Sequence, residues 1–166
     1  VSIANGVVYF VESRNEIAKA SKTGRVEAKE LWLDQYLVAL DANTGKVIWE
    51  KAIDTEDGIV VFYLTYKDDM LLIMSSNRPS YYFYGFSAKD GTLKWEKSHK
   101  WPGDNHGTHM IRPAFAGDVV YLEPNGYSLQ TGEVLRTDLG HREGCATVVA
   151  TENALIYRGQ NRRVAM

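Results

Sequence analysis

The sequence predicts an all-β protein, specifically a partial β-propeller of four-stranded antiparallel blades in which two complete blades are flanked by two incomplete ones. Two observations predict this fold class. A short glycine-centred motif recurs along the chain, with Gly45, Gly91 and Gly132 spaced by 46 and then 41 residues. Each copy follows short runs of β-branched and aromatic residues bounded by Asn, Asp or Gly, which is typical of strands joined by tight turns.

The glycine-centred motif predicts a β-hairpin. Residues 39–50 (ALDANTGKVIWE) align without a gap with residues 85–96 (GFSAKDGTLKWE), and the alignment places Trp49 on Trp95. Residues 125–136 form a weaker third copy that has an arginine in the tryptophan position. The turn glycine of each copy can adopt a positive φ between two runs of alternating apolar residues, so each copy predicts a strand, a tight turn and a second strand.

One further strand is predicted before each hairpin, and a second one before that in the later units, which gives four strands in a complete unit. The first unit lacks a candidate for the innermost strand and the last lacks one for the outermost strand, so we interpret the chain as a segment of a larger propeller.

A Lys-, Glu- and Ala-rich insertion at residues 13–33 interrupts the first unit, and residues 25–31 could form a short helix in it. The insertion is interpreted as a solvated decoration or, alternatively, as a partner-docking element. The predicted blade parts are residues 1–52, 58–98, 108–138 and 145–166.

Composition restricts the function classes. With 166 residues, of which 45% are hydrophobic and 24% charged, the chain can bury a core of ordinary size. The net charge of -2 and the scattered Lys and Arg residues disfavour nucleic-acid binding, and no apolar run is long enough to predict a membrane span. The single cysteine, Cys145, cannot form an internal disulfide. Unpaired blade edges predict self-association of the isolated segment.

The run Ala39-x-Asp41-x-x-Thr44-Gly45-Lys46-x-x-Trp49 is similar to the tryptophan-docking motif of the PQQ-like repeat family. That family includes the quinoprotein alcohol dehydrogenases and the propeller lipoprotein of the outer-membrane β-barrel assembly machinery. The resemblance implies an extracytoplasmic, periplasmic or envelope-associated protein. It also implies that Trp49 and Trp95 pack between neighbouring blades and that Asp41 braces the first turn.

The later copies depart from the motif of the resembled family. Ser87 and Ser128 stand in the aspartate position, and Arg136 replaces the third tryptophan. The structural repeat residues are therefore predicted to be Asp41, Gly45, Trp49, Gly91, Trp95 and Gly132.

Histidines provide the candidate ligand site. Propeller topology brings the connections between successive blades to one face, near the mouth of the central channel. Two of these connections carry imidazole and thiol groups suited to zinc, copper or iron, at His106, His109, His141 and Cys145. Asp104, Arg142 and Glu143 fall in the same connections. A metal site formed by His106, His109 and His141 and a set of polar groups that cap strand ends are both compatible with this pattern.

The acidic stretch 54–57 lies in the preceding connection and is either a solvated turn or a source of oxygen ligands for calcium.

The function expected from these observations is that of a non-enzymatic propeller that binds a protein partner through its loop face and continues into the remaining blades of the same propeller. No catalytic residue and no cofactor are predicted. The alternative is a quinoprotein-type oxidoreductase, or a propeller that binds PQQ or a divalent metal, with the histidines at the channel mouth. The quinone dehydrogenases of the resembled family carry a neighbouring cysteine pair, which one cysteine cannot supply, and no C-x-x-C-H haem signal is present.

Overall fold

A computed structural model describes residues 1–22, 33–55, 61–77, 79–102, 112–142 and 145–157. This part of the chain forms three four-stranded antiparallel sheets and one two-stranded hairpin. The strands of each sheet are hydrogen-bonded in the order in which they occur in the sequence. The predicted fold class, an all-β partial propeller, is confirmed.

The first sheet contains β1 (Ser2–Ala4), β2 (Val7–Ser13), β3 (Gln35–Asp41) and β4 (Val47–Ile53). The second sheet contains β5 (Val61–Lys67), β6 (Met70–Asn77), β7 (Ser80–Ser87) and β8 (Leu93–Lys100). The third sheet contains β9 (Ala114–Ala116), β10 (Val119–Leu122), β11 (Asn125–Ser128) and β12 (Val134–Arg136). The hairpin consists of β13 (Val149–Ala150) and β14 (Leu155–Ile156).

The first sheet is more complete than the sequence indicates. Its innermost strand, β1, is only three residues long and pairs with β2 through Ser2↔Tyr9 and Ala4↔Val7. The turn between the two strands has positive φ at Asn5 (51°) and Gly6 (75°), which is the geometry that reverses a chain within two residues. Three residues are too few to show an alternating pattern, so the strand was not predicted.

The insertion begins with a short helix, α1 (Glu16–Ala20), whose first turn is capped by the Asn15 side chain accepting from the Ile17 amide at 2.9 Å. No residue of α1 is buried. The helix predicted at 25–31 lies outside the described residues. No helix in the described part of the chain is long and apolar enough to cross a membrane.

The three glycine turns share one backbone geometry. Gly45, Gly91 and Gly132 have φ of 68°, 71° and 69°. In each copy the glycine amide donates to the carbonyl four residues earlier, at 2.8 to 2.9 Å. Each turn is also tied to the turn between the first two strands of its own sheet, because the amides of Ala42, Ala88 and Leu129 donate to the carbonyls of Gly6, Asp69 and Asp118. These turns define one face of the protein, the turn face.

The opposite face, the loop face, carries the longer connections. Strands β2, β6 and β10 run from the turn face to the loop face and end there. The connections from one sheet to the next also start at the loop face. The described part of the loop face comprises residues 13–15 and 33–34 at the base of the insertion, the turns at 79 and 123–124, and the connections 54–55, 101–102 and 137–142.

Apolar residues fill the clefts between sheets. On β6, Leu71 and Ile73 belong to the cluster shared with the first sheet, whereas Leu72 and Met74 belong to the cluster shared with the third. Both sides of the second sheet are therefore buried. The aromatic run 81–84 follows the same alternation, since Tyr81 and Phe83 pack toward the third sheet and Tyr82 and Tyr84 toward the first. Successive side chains of a strand point to opposite faces of the sheet, which accounts for this division.

Candidate functional site

Trp95 spans the cleft between the second and third sheets. Its indole Nε1 donates to the Leu129 carbonyl at 2.9 Å, and the ring lies against the Cα of Gly132. A methyl group added at Gly132 would come within 2.7 Å of the indole Cδ2. Only 7% of Trp95 is exposed, so the side chain contributes both apolar burial and a satisfied polar group to the cleft.

Trp49 makes the same contacts one sheet earlier. Its indole Nε1 donates to the Ala88 carbonyl at 3.1 Å, and its ring lies against Gly91. Trp49 is only half-buried, in contrast to Trp95. Gly45 has the same positive φ as Gly91, but it is exposed, and no atom lies within 4 Å of the position a methyl group would take.

A small residue opposite each tryptophan position makes room for the ring. Ala39 pairs with Trp49, Gly85 with Trp95, and Gly126 with the arginine at the third position. A methyl group at Gly85 would lie within 2.4 Å of the Trp95 indole nitrogen. In all three sheets the strand register shifts by a bulge directly after this small residue. Sequence reasoning missed this feature, although the signal is present as a small residue ten positions before each tryptophan or arginine.

Gly91→Ala is expected to destabilise the protein much more than Gly45→Ala. Both substitutions place a side chain at positive φ, which costs about 1–2 kcal/mol. At Gly91 the new methyl group would also approach the Trp49 Cζ3 to 2.7 Å, whereas at Gly45 it meets nothing. Urea unfolding of the two variants measures the difference, and equal losses of stability would show that the tryptophan contact carries no energy.

The turns are braced by side chains that differ between copies. Asp41 Oδ1 accepts from the amides of Asn43 and Thr44 and from the Thr44 hydroxyl, at 3.0, 2.7 and 2.8 Å. The Thr44 hydrogen bonds lower the pKa of Asp41. In the second copy Asp90 takes this role, accepting from the Thr92 amide at 3.0 Å, and hydrogen bonds from Thr92 and Ser87 lower its pKa to about 2. In the third copy the Ser128 hydroxyl accepts from the Thr131 amide at 3.3 Å.

Buried polar side chains are concentrated at the loop face. Among the described residues, the buried polar or charged side chains are Gln35, Thr55, Ser75, Ser76, Glu123 and Arg142. Every one of them lies in a strand end or connection on the loop-face side of its sheet, and none lies at the turn face. Polar side chains are costly to bury without hydrogen-bond partners, and apolar packing does not account for them. The loop face is therefore the candidate functional site.

The central element of this polar layer is an ion pair between Glu123 and Arg142. Arg142 Nε lies 2.5 Å from Glu123 Oε1, and each side chain is only 2% exposed. Arg142 also hydrogen-bonds the hydroxyl of Tyr81. Burial raises the pKa of Glu123, and the Arg142 guanidinium opposes that shift. Arg142 thus joins the 137–142 connection to both the second and the third sheet.

Further hydrogen bonds fasten the 137–142 connection. The Leu139 amide donates to the Pro124 carbonyl at 2.9 Å. The Tyr121 hydroxyl donates to the Gly140 carbonyl at 2.5 Å, and the Tyr157 hydroxyl donates to the Leu139 carbonyl at 2.9 Å. Gly140 has a φ of 83°, which favours glycine at this bend. The connection is consequently tied by hydrogen bonds to the third sheet and to Tyr157.

His99, at the end of β8, closes the other side of the polar layer. Its Nε2 is bonded to the Glu123 carbonyl, and its Nδ1 lies 3.2 Å from the Tyr127 hydroxyl. The ring stacks on Tyr127, packs against Phe83 and meets the edge of Tyr81. Sequence reasoning missed this role of His99, since its partners are 24 and 28 residues away.

The predicted metal ligands are only partly described. His106 and His109 lie outside the described residues. His141 is half-buried and its Nδ1 lies 3.1 Å from the Arg142 carbonyl, while Cys145 is exposed. Within the described ranges, no three His, Cys, Asp or Glu side chains are grouped so that they could hold a metal ion. The metal site at His106, His109 and His141 remains a prediction, and so does the calcium alternative at 54–57, of which residues 56 and 57 are not described.

The base of the insertion is clamped to the first sheet by Arg14. Its guanidinium bonds both carboxylate oxygens of Glu50, at 3.0 and 2.7 Å, and Glu12 at 2.7 Å. The same group lies 3.9 Å above the centre of the Tyr36 ring. The Arg14 amide donates to the Asp34 carbonyl, so the two ends of the insertion are held together.

Successive four-stranded sheets with an indole resting on the glycine turn of the next sheet define a β-propeller of the PQQ-like repeat class. Residues 33–139, more than half of the chain, match a family model of this repeat class described as outer membrane protein assembly factor BamB. The chain belongs to that family, and the resemblance inferred from the tryptophan motif is confirmed.

Comparison with solved structures gives the same fold. Among 32 matching chains is the crystal structure of BamB from Moraxella catarrhalis, with a TM-score of 0.51 and 17% sequence identity. The match covers 72% of this chain and 39% of the Moraxella chain, so this chain corresponds to less than half of that propeller protein. No curated protein matches the chain.

Proposed function

We propose that the protein is a non-enzymatic, protein-binding scaffold that acts in outer-membrane protein assembly at the bacterial cell envelope. The observation that carries this proposal is the construction of the loop face: the Glu123–Arg142 ion pair and the hydrogen bonds of the 137–142 connection fix a loop where a surface loop would otherwise be mobile. A rigid loop loses little conformational entropy when a partner binds it. Membership of the BamB family supports the assembly role.

In this proposal Trp49 and Trp95 act as docking tryptophans that hold successive sheets in register. Their indole hydrogen bonds to Ala88 and Leu129 support that role. Sheets held in this way keep the loop-face connections at fixed spacing, so that a partner can contact several of them together.

The partner surface is expected to include apolar residues at the base of the insertion. Ile17 and Leu33 are 52% and 40% exposed, and they lie close in sequence to Arg14 and to Asp34, whose carbonyl accepts from the Arg14 amide. Exposed aliphatic side chains on a fixed support offer apolar area that a partner can bury. The clamp would hold them in place for such a contact.

Site-specific photocross-linking in the native bacterium tests the proposal. A photoreactive amino acid is introduced at exposed positions on the loop face, namely Ile17, Lys100 and Thr137. Matched exposed positions on the turn face are Asn43, Lys89 and Glu133. We expect the loop-face positions to cross-link to a component of the outer-membrane assembly machinery and the turn-face positions to give none. Equal cross-linking of both faces, or cross-links only to proteins outside the envelope, would contradict the proposal.

A further inference from the structure

His99 lies where a change in the charge of its ring would affect the contacts of both the second sheet and the loop face. It is the penultimate residue of β8, and it reaches the Glu123 carbonyl at the start of the turn that leads from β10 to β11. The side chain of the same Glu123 holds Arg142. Glu123 therefore links the imidazole of His99, through the 123–124 turn, to Arg142 in the 137–142 connection.

The hydrogen bonds of His99 fit a neutral imidazole ring. A carbonyl oxygen can only accept, so Nε2 carries a hydrogen and donates to Glu123. In a neutral ring Nδ1 is then unprotonated and accepts from the Tyr127 hydroxyl at 3.2 Å. Both nitrogens are satisfied in the neutral ring. A protonated ring would present a second donor to Tyr127, which would have to turn its own hydrogen away.

We propose that His99 is a proton-sensitive latch between the second and third sheets: the neutral ring holds the 123–124 turn and Tyr127 in place, and protonation of the ring loosens the turn and the 137–142 connection attached to it. The proton is the ligand that binds this site, and its binding changes the conformation of the loop face.

In the part of the chain that the structure describes, no carboxylate is paired with His99, whose hydrogen-bond partners are the Glu123 carbonyl and the Tyr127 hydroxyl. The groups that surround His99 are Tyr81 from β7, Tyr127 from β11, the Glu123 carboxylate with its partner Arg142, and His141 beyond them. Lys97 and Lys100 on β8 itself are exposed. The Glu123 carboxylate is already paired with the Arg142 guanidinium, so a positive charge on His99 would compete with Arg142 for it.

The direction of the pH effect follows from burial. Burial lowers the pKa of His99 below its ordinary value of 6.5, and the hydrogen bond to the Glu123 carbonyl acts in the opposite direction. An opened or unfolded form therefore takes up a proton first as the pH falls. The closed interface is fully stable above about pH 6.5 and loses stability as the pH falls from there toward the lowered pKa of the buried ring.

NMR-detected amide exchange of the intact chain tests the latch. Protection of residues 122–127 and 137–142, corrected for the intrinsic pH dependence of exchange, is measured between about pH 7.5 and about pH 5.5, across the range in which histidine titrates. We expect protection to be lost toward acid pH in the wild type and in His141→Gln. It should stay constant in His99→Gln, which retains an N–H for the Glu123 carbonyl but cannot titrate.

A second variant keeps the test decisive if His99→Gln fails to fold. Tyr127→Phe removes the donor to Nδ1, so the midpoint of the His99 ring titration should rise relative to wild type. An unchanged midpoint in Tyr127→Phe, or an equal loss of protection in His99→Gln, would overturn the latch. No partner protein takes part in these measurements, so their outcome does not depend on the proposed scaffold function.

Discussion

Replacement of Arg142 by methionine is expected to lower the free energy of unfolding by about 3–5 kcal/mol, the usual cost of removing one member of a buried ion pair. The substitution keeps much of the apolar volume of the side chain but leaves the Glu123 carboxylate, which is 2% exposed, without its guanidinium. It also removes the hydrogen bond from Arg142 to the Tyr81 hydroxyl. Urea denaturation at neutral pH measures the loss.

The double variant Glu123→Met/Arg142→Met is the matched control. Replacement of both members of a buried pair by apolar groups is often neutral or stabilising, because the desolvation cost of both charges disappears. We therefore expect the double variant to recover most of the stability that Arg142→Met loses. A double variant as unstable as the single one would show that packing around Arg142, and not the charge of Glu123, is responsible.

The pH dependence of the stability of Arg142→Met is an independent test of the role of the Glu123 charge. Burial raises the pKa of Glu123, and without Arg142 the opposing effect is gone, so the pKa rises further. A carboxyl whose pKa is raised in the folded state favours folding when it is protonated. The variant should thus gain stability, relative to wild type, as the pH falls below the raised pKa, and lose it again as the pH rises.

The strand pattern could be predicted from the sequence because it is local and repeated. The turn glycines, such as Gly91, sit between alternating apolar runs, and the observed hairpin β7–β8 follows from that pattern alone. The packing of Tyr81 and Tyr84 on opposite faces of their sheet was also predictable, since side chains alternate along a strand. What failed was β1, whose three residues carry no periodic signal.

The polar layer of the loop face could not be predicted in the same way. Arg142 was expected among the polar groups of a channel mouth, but it turns inward to Glu123, 19 residues earlier in the chain. His99 likewise finds Tyr127 across a cleft between two sheets. Such pairs depend on where the ends of two separate strands meet, and neither residue type nor spacing specifies that meeting point.

Trp95→Ala is expected to cost about 3–5 kcal/mol in the free energy of unfolding, the range measured for large aromatic side chains removed from a core. Trp95 lies in the cluster that joins the second and third sheets, beside Phe83 and Leu129. Its removal leaves Gly132 and the opposite Gly85 facing a void, because neither has a side chain that could fill it. Urea unfolding of the variant measures the loss.

Two companion variants separate the contributions of the Trp95 indole. Trp95→Phe keeps an aromatic ring in the cleft but removes the hydrogen bond to the Leu129 carbonyl, so we expect it to cost only about 1–3 kcal/mol. Trp49→Ala removes the same kind of hydrogen bond one sheet earlier, from a side chain that is only half-buried. If apolar burial determines the energy, Trp49→Ala costs clearly less than Trp95→Ala. If the indole hydrogen bond and the glycine turn determine it, the two alanine variants cost the same, because both tryptophans share that geometry.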